Sequence, residues 1–109
     1  MAYDLNLAQR MRKHLASIGG LDEKKMFGGV GYMIRGNMAC GVHGDSMIVR
    51  VGAENYAAAL QQPFTRPFDM TGRPMAGWIM VAPQGCEQDR DLQGWVKKGV
   101  DFASTLPAK

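Results

Sequence analysis

Apolar residues recur along this chain in two rhythms, and the change of rhythm marks its elements. Leu7, Met11, Leu15 and Ile18 fall four, four and three residues apart, which predicts one face of a helix over 4–18. Asp4 suits the positive start of that helix, and Gly19-Gly20 ends it. The rhythm then shortens to two. Val30, Tyr32 and Ile34 alternate with Gly31, Met33 and Arg35. Met38, Cys40 and Val42 follow the same pattern, and so do Met47, Val49 and Val51. The links Arg35-Gly36-Asn37 and His43-Gly44-Asp45 supply residues that tolerate positive φ, so the three strands are expected to form an antiparallel meander. A short helix over 54–61 carries Tyr56 and Leu60 on one side, and Pro63 discourages its extension. An irregular connector, 66–74, leads to a strand over 75–81 that is apolar on both faces, with Trp78 and Met80 opposite Ile79 and Val81. A last helix over 89–106 is striped by Leu92, Val96, Gly99, Ala103 and Leu106, and Pro107 closes it.

The order is thus α-β-β-β-α-β-α. The fold expected from it is α+β, two-layered, with helices packed on an antiparallel sheet. At 109 residues the chain suits a single domain, 1–109. Its amino end, MAYDLNLAQRMRKHL, has no continuous apolar core of the kind a signal peptide needs, and no run is long enough to span a membrane. The expectation is therefore cytoplasmic, with Cys40 and Cys86 as free thiols.

Several stretches together resemble the TfoX N-terminal domain family. They are EKKMFGGVGYMIRGNMACGV (23–42), MIVRVG (47–52), RPFDMTGRPMAGWIMV (66–81) and LQGWVKKGVDFASTLPAK (92–109). The combination of Met26-Phe27-Gly28-Gly29, Gly36-Asn37-Met38 and Gly72-Arg73-Pro74-Met75 is the specific part. The resemblance implies an α+β domain shaped like secretion chaperones and associated with regulation of natural competence. In full-length TfoX-like regulators such a domain precedes a second one. Here the chain is expected to stand alone. The resemblance supplies no catalytic residue.

Candidate chemistry lies in four places. The glycines of KKMFGGVGYMIRG lack the GK[ST] ending of a P-loop, and Ile34 occupies the third glycine of a dinucleotide fingerprint. They read as a bend into a strand, with Gly28 and Gly29 turning the chain and Gly31 making room for a neighbour. Cys40 and His43 are three apart on a strand and so point to opposite faces. There is no paired-ligand spacing for zinc, and no metal or cofactor is expected. The basic residues Arg10, Lys13, Lys24 and Lys25 could converge beside the first helix, and Lys97 and Lys98 add a pair on the last. Acids close by (Asp22, Glu23, Asp101) and a net charge of only +3 make a mixed, solvated surface the plainer reading. In the connector, Arg66, Phe68, Met70 and Arg73 are candidates for partner binding. Phe68 either anchors the loop on the core or is offered to a partner.

Three functional readings follow in order. The first is a non-catalytic accessory or regulatory module that binds a protein. The second is a weak, non-specific DNA-binding regulator of transcription or competence. The third is a small enzyme using a Cys/His site. A second copy of the chain is a further candidate partner, and a membrane is not.

Overall fold

A single antiparallel sheet organises the chain, and two helices lie across one of its faces. The computed structural model describes residues 3–26, 29–68 and 75–108. The elements in chain order are α1 (Leu5–Leu15), β1 (Leu21–Met26), β2 (Gly29–Ile34), β3 (Asn37–His43), β4 (Ser46–Arg50), α2 (Tyr56–Leu60), β5 (Thr65–Pro67), β6 (Trp78–Val81) and α3 (Asp89–Ala103). Short 3-10 turns precede α2 and α3. The six strands lie in the order β1-β2-β3-β4-β6-β5, so β1 and β5 are the edges. The fold is α+β, and the predicted elements occur in their predicted order.

Each helix forms for a readable reason. Asp4 caps α1: its Oδ1 accepts the amide hydrogens of Asn6 at 2.9 Å and Leu7 at 3.1 Å, two donors that the helix itself cannot satisfy. Leu7, Met11 and Leu15 are buried, as the spacing requires. Ile18 lies beyond the helix end, but it still packs against the core. In α3, Asp89 and Asp91 occupy the first turn, where the peptide dipoles favour negative charge.

The helix-bearing face of the sheet buries Val30, Tyr32, Cys40, Val42, Met47, Val49, Ile79 and Val81 against Leu7, Met11, Leu15, Leu92 and Val96. The β2–β3 hairpin turns at Arg35 (φ 50°) and Gly36 (φ 86°), the double positive φ of a type I′ turn. Asn37 is buried there, and its Nδ2 donates to the Pro107 carbonyl at 2.8 Å, tying the end of the chain to the hairpin.

Three differences from the sequence pattern have physical causes. β1 and β5 have no apolar alternation, because an edge strand is flanked on one side only and its side chains can reach water from both faces. β1 reads LDEKKM, and β5 ends in Pro67, a residue that sheets tolerate at an edge. Met38 does not share a face with Cys40 and Val42. Met33 is opposite Met38 while Tyr32 is opposite Cys40, so Ala39 is an extra residue in β3 and the pleat is reset across it. The strand expected over 75–81 is confined to Trp78–Val81, since Gly77 turns the chain at φ 90°.

The opposite face of the sheet carries a smaller apolar cluster of Ile48, Phe68 and Met80, with Met38 and Trp78 beside it. Phe68 is buried there, and its ring centroid lies 6.3 Å from that of Trp78. Gly29 is also explained. A Cβ at this position would collide with the carbonyl of Val42, so close strand packing requires glycine. Its φ is not positive, so it is space rather than backbone conformation that excludes a side chain. Gly28 lies outside the described residues.

Candidate binding surface

The basic residues do not gather. Arg10 and Arg12 are two apart on α1 and therefore leave the helix on opposite sides. Arg12 reaches β1, where its Nε lies 2.8 Å from Glu23 Oε1. Arg10 turns toward the start of α3. It donates to the Glu87 carbonyl at 3.1 Å and lies 3.7 Å from Asp89, which is also 3.3 Å from His14. Arg10 is thus drawn away from Lys24 and Lys25, against the expected convergence. Lys24 is opposite Gly31 and Lys25 opposite Val30, so they project from opposite faces of the sheet edge. Lys13 is exposed on α1. Lys97 is paired with Asp101 at 2.9 Å. Lys98 lies over the Trp95 ring, 5.0 Å from its centroid.

The connector candidates separate as well. Arg66 is exposed on β5, opposite Met80. Phe68 anchors the connector on the sheet, the first of its two readings. Met70 and Arg73 lie outside the described residues.

Neither cysteine is placed to react. Cys40 is buried in the core, and burial pushes its thiol up to about 12. Cys86 is buried too. Its Sγ faces the carbonyls of Ala82 at 3.6 Å and Pro83 at 3.7 Å. Burial raises its pKa, and the nearby Arg10 only partly opposes the rise. Among the described residues, no group of three His, Cys, Asp or Glu side chains is positioned to hold a metal ion.

A different surface stands out along α3. On one side the helix and the segment after β4 enclose a groove of about 720 Å³, floored by Val51, Gly52 and Phe102 and rimmed by Glu54, Lys98 and Asp101. Gly52 has φ 87°, and a Cβ on it would lie 2.5 Å from the Phe102 ring. Beside this groove the Arg50 guanidinium lies over two aromatic rings, 5.0 Å from the Trp78 centroid and 5.4 Å from that of Phe102. On the other side of the helix is a depression of about 270 Å³, lined by Pro63, Phe64, Trp95 and again Lys98. Lys98 therefore joins the two.

Phe64 is the unusual residue of this surface. It is 53% exposed, and it has φ 66°, a conformation uncommon for a bulky side chain. Its neighbours hold it there. Thr65 Oγ1 donates to the Ala59 and Gln62 carbonyls, and the Phe64 carbonyl accepts from the Ala82 amide at 2.8 Å. The sequence pattern did not single out Phe64, Arg50 or Gly52. Each depends on a contact between distant segments, and the nearest signal was an apolar residue directly after Pro63.

Compared with known families, residues 13–103 match the TfoX N-terminal domain. Neither the curated proteins nor the solved structures yield a match. Among the described residues no helix is long and apolar enough to cross a membrane.

Proposed function

Because the chain belongs to the TfoX N-terminal domain family, we propose that it is a regulatory domain that acts by binding another protein, in the setting of natural competence. The observation that carries the reading is Phe64. A large aromatic side chain is kept half in water on a strained backbone, beside a depression that its own ring does not fill. Strain of this kind costs on the order of 1–3 kcal/mol, and it is found where function requires it. Aromatic residues at the centre of a patch, with cations nearby, are the usual anchors of a protein interface. The partner segment suited to this surface offers an apolar side chain to the Phe64 depression and a carboxylate to Lys98. Burial of both thiols leaves a Cys/His enzyme with little support.

The experiment is capture of partners from the source cell by the parent domain and by Phe64→Ser. A partner held by the parent and lost by the variant supports the reading. The same set of partners on both rejects it.

Weak DNA contact is the second reading, favoured by the net charge of +3 and by the exposure of Lys13, Lys24 and Lys25. Phosphate contacts without base readout release counterions, so such binding falls steeply with salt and ignores sequence. Gel shifts with unrelated duplexes at two salt concentrations test it. Tight binding to one sequence that survives high salt would contradict it.

A further inference from the structure

β1 ends the sheet, and among the described residues no strand pairs with its outer side. An open edge presents a row of unpaired N–H and C=O groups, and proteins commonly blunt it with lysines or a proline. β1 is different. Its central residues run Asp22, Glu23, Lys24, Lys25, two acids and then two bases, all exposed. A strand with this polarity sets like charges side by side in a parallel pairing, and opposite charges side by side in an antiparallel one. We infer that β1 is a self-pairing edge, along which two copies of the chain join antiparallel into one continuous sheet.

The symmetry restricts the register. Two copies of the same edge are related by a two-fold axis perpendicular to the sheet, and paired residues must project from the same face. The pairing is therefore centred on a residue, not between two. Centred on Glu23, Asp22 lies opposite Lys24 of the other copy, and the pair occurs twice. The two Glu23 side chains meet at the axis, on the helix-bearing face. Each already has the Arg12 guanidinium of its own chain at 2.8 Å, so the two acids arrive with their counter-charges in place. Centred on Lys24, two ammonium groups would meet instead, and among the described residues no carboxylate of its own chain is held beside either. The Glu23 register is the one assigned. Phe64 precedes β5, the opposite edge of the sheet, so this pairing leaves the Phe64 surface open.

Light scattering and sedimentation of the whole chain, over a range of concentration and salt, read the dimer directly. A dimer that weakens with added salt is expected. Asp22→Lys turns both charge pairs repulsive and weakens it by about tenfold or more. The double variant Asp22→Lys with Lys24→Asp restores it, because the pairs re-form with exchanged signs. Under mild oxidation Glu23→Cys forms a disulfide-linked dimer, since the central residue faces itself at a Cα separation of about 5 Å. Lys24→Cys does not, being offset along the strand from its own copy. A chain that stays monomeric up to millimolar concentration overturns the inference. So does a dimer that ignores both charge variants, or cross-linking through position 24 in place of position 23.

Discussion

Gly99 of α3 rests directly on the backbone carbonyl of Ala39, the extra residue of β3. A methyl group at Gly99 would collide with that carbonyl, and strand backbone cannot swing aside as the end of a side chain can. Gly99→Ala should therefore lower stability by about 1–3 kcal/mol through overpacking, even though alanine favours a helix by about 1 kcal/mol. Gly94, on the same helix, has no atom of the described residues near enough to meet an added methyl group. Gly94→Ala should raise stability by about 0.5–1 kcal/mol. Denaturant unfolding of the two variants measures opposite signs for one substitution on one helix.

Phe64 and Phe68 are four residues apart and should answer truncation differently. Phe68 is 8% exposed, and loss of its ring should cost about 3–5 kcal/mol. Phe64→Gly removes a half-exposed ring but also relieves a positive φ. Relief of the left-handed backbone is worth about 1–2 kcal/mol, so the net change should stay within about 1 kcal/mol. Thermal melts of Phe68→Ala and Phe64→Gly check the contrast. A collapse of stability in Phe64→Gly would make that ring a structural member.

Arg50 lies over two aromatic rings and pairs with no acid among the described residues. Two such contacts are worth about 1–2 kcal/mol together. Arg50→Lys should lose most of this, because a compact, strongly hydrated ammonium group makes a poorer contact with aromatic rings than a guanidinium does. Equilibrium unfolding of Arg50→Lys beside Arg50→Ala makes the comparison.

Alkali should unfold the domain in a defined window. Burial moves the Cys40 thiol from 9.0 to about 12 and the Tyr32 phenol from 10.0 to about 12. Both groups stay protonated in the fold at pH values where the unfolded chain gives up those protons. Their contribution is therefore fully present below pH 9 and is lost as pH rises from 9 to 12. The melting temperature should be level up to that window and fall through it. Cys40→Ala should fall less steeply. An equal slope in both proteins would assign the loss to other groups.

The helices and the central strands were legible because each buries one face, which forces a period on the sequence. α1 and α3 announced themselves through Leu7, Met11, Leu15, Leu92 and Val96, and β2 through Val30, Tyr32 and Ile34. β1 escaped notice because an edge strand such as LDEKKM can be polar on both faces. The face of Met38 was misread because one inserted residue, Ala39, shifts the alternation. The Arg50 clamp needs the pairing of Arg50 with Trp78 and the position of Phe102 on α3, and no local pattern encodes either. The exposure and positive φ of Phe64 follow from bonds to Ala82 and to the end of α2, which no local pattern encodes.

Protein binding through the Phe64 surface is tested most directly by photo-crosslinking in the source cell. A benzophenone side chain is placed at position 64 in one strain and at exposed position 13, on α1, in another. The account predicts a discrete protein adduct from position 64 and none of the same mass from position 13. No protein adduct from position 64, with nucleic-acid adducts from position 13, would contradict it and favour the DNA reading.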